Sequence, residues 1–200
     1  MKLKQIKQAY NNKQLTALVD SLLTAFDTPK VYSEDPSVAI EKIAENLGIN
    51  EIVYIPGEEL EGHHAIFENS VLKINKDESR TKQVFSIAHE IGHIVLGHID
   101  ITAEYKVARH GTSKINELYE KIMAEDIICI PQLHKVIEDR LADFFAASLL
   151  VPINRFLLWE DREDIEIANA FGVEEKCIRE RRNEINAILP ELVSNTQAVG

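Results

Sequence analysis

The stretch Phe85-Ser86-Ile87-Ala88-His89-Glu90-Ile91-Gly92-His93-Ile94-Val95-Leu96 constrains this chain most. Val84, Ala88, Ile91 and Val95 recur at helical spacing, and Phe85, His89, His93 and Leu96 form a second stripe. A helix apolar on two sides must be buried, so the fold has to supply a partner on each flank. His89 and His93, four apart, share one face of that helix. Two imidazoles so placed can hold one Zn²⁺, with Glu90 beside them as a general base. The competing reading is a surface helix with two incidental histidines. Ile87, Ile91, Ile94 and Val95 around the pair argue against it.

The rest of the chain has the material to bury such a helix. Two hundred residues, 45% of them hydrophobic, suit one domain with a sizeable core, with or without a small extension. The net charge of −11 argues against direct nucleic-acid binding and against an anionic membrane surface as partner. Cys129 and Cys177 are far apart and outside any CxxC spacing, and read as small buried hydrophobes in a reducing compartment. Met1-Lys2-Leu3-Lys4 is basic with no apolar run behind it, and no window reaches membrane-spanning length. The expectation is a cytoplasmic protein.

Taken in order, residues 3–26 read as a helix with Leu15, Leu18, Val19, Leu22 and Leu23 on one side. A second helix begins near Pro36, capped by Ser33 or Asp35, and ends at Gly48. Glu51–Ile55 alternates as a strand. Ala65–Phe67 and Val71–Ile74 read as two more, joined by a hairpin loop at Glu68-Asn69-Ser70. Asp77, Glu78 and Ser79 offer caps for the His-rich helix, which runs from about Arg80 to Gly97. His63-His64 lacks a shared helical face and reads as surface loop. His98, past Gly97, falls off the metal face and reads as a capping or surface group. Residues 99–130 show no clear period, beyond a possible helix at Ser113–Met123. A long, nearly apolar helix spans 131–151. Two short helices, Asp161–Gly172 and Glu174–Ile185, follow in a helix-turn-helix-like rhythm. These predict an α+β chain, mainly helical, with a small antiparallel or mixed sheet packed on the His-rich helix. Residues 1–160 read as the main domain, with an N-terminal helix in 1–30, and 161–200 as a helical extension.

A catalytic zinc site needs a third protein ligand. Asp139 and Asp143 interrupt the second long helix, again four apart on one face, and charges there need partners. Asp139 is the best candidate ligand. Asp143, one turn on, could hydrogen-bond the far nitrogen of a ligating imidazole and fix its orientation. Glu138 competes as ligand, although the residue one turn beyond it is Ala142, which cannot orient a histidine. The alternative pairs both acids with Arg140 or surface lysines. Tyr105, His110, Tyr119 and His134 are candidate oxyanion donors, and nothing in the sequence selects among them. An edge of the small sheet could hold an extended peptide.

Phe85 to His93, followed by Leu141-Ala-Asp-Phe-Phe-Ala-Ala-Ser-Leu-Leu-Val-Pro152, resembles the ImmA/IrrE family of metallo-endopeptidases. Ala39–Gly48, Ile74-Asn75, Ile167–Val173 and Arg179–Arg182 are similar to it as well, so the resemblance covers roughly residues 36–186. It implies a zincin-like fold, carriage by bacteria, phage or mobile elements, and action on a protein partner, a helix-turn-helix transcriptional repressor. It also implies His89 and His93 as ligands, Glu90 as base and Asp143 as the acid behind a ligand. The family usually has Glu where this chain has Asp139, a side chain shorter by one bond, about 1.5 Å. Either the helix sits closer, or the metal site is looser, or Glu138 substitutes. The alternative function is a non-catalytic metal-binding regulator that acts by protein–protein binding. DNA binding by the C-terminal helices is disfavoured, because residues 161–186 carry eight acids against five bases.

Overall fold

The computed structural model describes residues 12–25, 36–99, 106–109 and 130–196. Two helices come first, α1 (Asn12–Ala25) and α2 (Pro36–Asn46). Strand β1 (Glu51–Ile55), a 3₁₀ turn at Gly57–Leu60, and strands β2 (Ala65–Glu68) and β3 (Val71–Asn75) follow. The His-rich helix is α3 (Arg80–Val95), and a short strand β4 (Lys106–Arg109) lies beyond it. The long helix α4 (Ile130–Leu150) leads through a single turn α5 (Ile153–Phe156) to α6 (Asp164–Phe171) and α7 (Glu175–Thr196). The mainly helical α+β architecture is as the hydrophobic pattern predicts. Residues 3–11, the caps Ser33 and Asp35, and the stretch 110–129 with its expected helix and Cys129 lie outside the described residues.

The sheet is mixed, in the order β1-β3-β2-β4. Strand β3 pairs parallel with β1, Glu51 opposite Val71, and antiparallel with β2. Glu68 faces Val71 across the hairpin, leaving Asn69-Ser70 as a two-residue loop. Both have positive φ, +53° and +61°, the conformation that suits strand twist in such a tight turn. Strand β2 is internal, and Ala65, Ile66 and Phe67 are all buried. In β3 the alternate residues Leu72 and Ile74 are buried. With Ala65 and Phe67 they belong to the same core as Val84, Ile87, Ala88 and Ile91 of α3. The edge strand β1 buries none of its residues fully.

Helix α4 covers the other side of α3. Gly92 makes that close: a Cβ there would stand 3.1 Å from the Cα of Ala142 and 3.2 Å from its carbonyl oxygen. Phe145, Ala146, Leu149 and Leu150 of α4 continue the core into α6 and α7 through Ile167, Phe171, Ile178 and Ile185. The basic cluster at Arg179–Arg182 is engaged within the chain. Arg179 pairs with Glu175, and Arg182 with Asp164 at 2.9 Å. Arg181 is fully buried, donates from Nε to the Val151 carbonyl at 3.1 Å, and stacks its guanidinium over Phe144. Of these arginines only Arg181 is turned into the core; Arg182 is half-buried and Arg179 stays on the surface.

Candidate metal centre

The site begins with how α3 is placed. Ser79 caps it, its Oγ accepting from the Lys82 amide at 3.4 Å. Asp77, another expected cap, instead accepts from the Gly57 amide at 2.8 Å and ties the 3₁₀ turn to the start of α3. From Ser86 to His93 every residue of the helix is buried, including His89, Glu90 and His93. Because Gly92 lets the α4 backbone approach, the acids of α4 reach the histidines of α3.

The Nε2 atoms of His89 and His93 lie 3.0 Å apart, and Asp139 Oδ1 is 3.3 Å from His93 Nε2. One ligand atom from each of the three residues lies within 4.8 Å of the others, and all three residues are buried. A tetrahedral ion with bonds of about 2.0–2.1 Å holds neighbouring donors about 3.3 Å apart. The observed spacings fit that, and two imidazoles with a carboxylate are a donor set that zinc accepts with a position left open. Glu138 is half-buried and does not belong to the group. The shorter side chain at 139 thus reaches because α4 sits close.

Each ring also has a neighbour at its far nitrogen. Asp143 Oδ1 is 2.7 Å from His89 Nδ1. His98 Nδ1 is 3.1 Å from His93 Nδ1. Burial alone would lower the pKa of His93, but its hydrogen bond to Asp139, which accepts, and the charges of Glu90, Asp139 and Glu138 outweigh it and raise it. Burial, with His93 and His89 nearby, pushes His98 down to about 4. Glu90 is wholly buried beside the pair.

Residues 44–183 match the family model described as the IrrE N-terminal-like domain, Peptidase M78. The chain belongs to the Peptidase M78 family. No curated protein matches it. The M78 match runs from the end of α2 into α7, so it takes in the whole sheet, both helices of the site, α6 and the first part of α7. Membership makes this a metallopeptidase-family chain, with protein as its class of substrate. Among its described residues, no helix is long and apolar enough to cross a membrane.

The structure brings His89, Glu90, His93, Asp139 and Asp143 to one place. It does not bring His63 or His64 there. The His64 ring instead pairs with Glu78 ahead of α3. Tyr105, His110 and Tyr119 lie outside the described residues, as does the side chain of His134. His98 lies outside the ligand group and its amide caps the end of α3, as its place past Gly97 predicts, but its half-buried ring meets His93, which helical spacing alone does not show. The Gly97-His98 pair carries the signal that does, since a glycine at a helix end folds the next residue back over the last turn.

Proposed function

We propose that this M78 chain is a zinc-dependent endopeptidase. His89, His93 and Asp139 hold the ion, Glu90 is the general base, and Asp143 orients His89. The observation that carries the reading is the buried convergence of three donor atoms from two helices. A bound zinc ion polarises a carbonyl and brings the pKa of a water towards about 7. Glu90 takes the proton of the attacking water and delivers it to the amide nitrogen as the C–N bond breaks. Its complete burial keeps that proton from bulk solvent. Asp143, at 2.7 Å, holds a proton on His89 Nδ1 and so leaves Nε2 free to ligate. The substrate is a protein partner, a helix-turn-helix transcriptional repressor, which rests on the resemblance of the two core motifs to the ImmA/IrrE family.

Two measurements test this. Elemental analysis of the purified protein should find about one zinc per chain in the wild type and in Glu138→Ala, and none in Asp139→Ala. Incubation of a host-cell extract with the wild type, followed by mass spectrometry of new N-termini, should reveal cleavage that Glu90→Gln abolishes while keeping its zinc. Zinc without any Glu90-dependent N-terminus would replace the peptidase with a regulator that binds its partner. No zinc in the wild type, even after it is added back, would remove the metal centre.

A further inference from the structure

We infer that His98 is a positioning residue for the centre: its Nδ1 accepts the hydrogen bond that holds His93 with Nε2 bare. This rests on the metal-centre reading above and concerns a residue outside the ligand set.

The backbone places His98. Helix α3 ends with Gly97 at φ +72°, a left-handed conformation natural to glycine. The Gly97 amide donates to the Ile94 carbonyl at 3.1 Å and the His98 amide to the His93 carbonyl at 2.9 Å. These two bonds form a Schellman motif, in which the residue after the glycine returns over the third residue from the helix end. Here that third residue is His93. A histidine five positions after it, directly following the glycine, is thereby set against its ring.

The side chains complete the argument. The two rings meet at 65° with centroids 5.2 Å apart, and their Nδ1 atoms are 3.1 Å apart. The other nitrogen of His93, Nε2, is the one that faces His89 and Asp139. A neutral imidazole carries one proton, so a ligating Nε2 requires it on Nδ1. His93 Nδ1–H then donates, and His98 Nδ1 accepts. His98 is therefore no ligand, since it meets the side of His93 turned away from the donor group. Its role parallels that of Asp143 at His89, with an uncharged acceptor from the end of α3 itself in place of a carboxylate from α4.

The test is zinc affinity by competition with a chromophoric chelator, on the wild type, His98→Ala, His98→Asn and His98→Gln. The amide oxygen of Asn lies about where Nδ1 lay, and that of Gln does not. Removing a partner behind a ligand costs about 10–100-fold in affinity. His98→Ala and His98→Gln should lose that much, and His98→Asn should stay within a few-fold of wild type. A urea titration of the metal-free proteins, with unchanged midpoints, shows that the loss is not one of folding. Wild-type affinity in His98→Ala would overturn the inference and leave the metal centre standing. Equal loss in all three variants would also overturn it, since an acceptor at the Nδ1 position would then not matter. A wild type that binds no zinc would overturn the centre and this role with it.

Discussion

Gly92→Ala should damage metal binding more than stability. Gly92 lies inside the His89–His93 pentad, on the face that meets α4. An added Cβ would be 3.1 Å from Ala142 Cα, 3.2 Å from its carbonyl oxygen and 3.2 Å from Phe145 Cδ1. Two of these three neighbours are backbone, so relief requires α4 to move by a few tenths of an ångström. Two energies oppose each other. Alanine gains about 1 kcal/mol in helix propensity over glycine. Overpacking a core contact costs about 1–3 kcal/mol. The net is a loss of about 0–2 kcal/mol, modest against the whole. The same displacement acts directly on Asp139 and Asp143, which α4 carries at 3.3 Å and 2.7 Å from the histidines. Metal ligands hold their distances to about 0.2 Å, so that shift exceeds the tolerance. We expect zinc affinity to fall about tenfold or more, about 1.4 kcal/mol. The assays are urea unfolding of the metal-free protein and chelator competition for zinc. Gly62→Ala is the control for zinc affinity: φ of +82° strains an alanine there, unlike at the helical Gly92, but its Cβ would meet open space and it has no place at the site. Unchanged zinc affinity in Gly92→Ala would refute the argument that the helix approach sets the site.

Asp143→Ala should weaken zinc about 10–100-fold, and Asp143→Asn less, since its amide oxygen can still accept from His89; equal affinity in all three proteins would show that His89 needs no orienting partner. The second expectation concerns pH. Burial pushes Glu184 up to about 7, partly offset by Arg181 and reinforced by Glu180 and Asp143. The folded state thus prefers the protonated acid. Its contribution to stability is full below the ordinary value of 4.5 and is lost as pH rises through about 7. A quarter of the side chain is exposed, so solvent screening limits the effect to about 1–2 kcal/mol. Unfolding free energies from urea titrations should be higher at pH 5 than at pH 8 by that much, and Glu184→Gln should flatten the difference; an unchanged difference would exclude Glu184 as its source.

What could be read from the sequence divides along physical lines. The strand Glu51–Ile55 and helix α3 are legible because each carries its own period, and Ala65–Phe67, Val71–Ile74 and α4 because each is an apolar run between turn residues, with β2 and β3 each running one residue further than that pattern. The hairpin was legible because Asn69-Ser70 is local turn chemistry. Strand β4, four residues long, has no alternation to betray it, and the 3₁₀ turn and α5 are as short. The parallel pairing of β1 with β3 is a tertiary fact that no local pattern records. At the site, spacing alone selected His89, His93, Asp139 and Asp143. Two contacts escaped it. His98 is set by the way the helix ends, and the burial of Arg181 depends on a carbonyl thirty residues earlier.

Helix α1 rests on both α4 and α7, so the two ends of the described chain meet. From Ala25 to Glu175 that contact closes a loop of 150 residues, while His93 and Asp139 close one of 46. Chain entropy rises with the logarithm of loop length, which makes the shorter closure cheaper by about 1 kcal/mol. The order of assembly follows: the two helices of the metal centre can meet first, and docking of the termini is the late, slow step. On this ordering the histidines and aspartates come together through the cheaper closure, before the contact of α1 with α7 ties the last helix down.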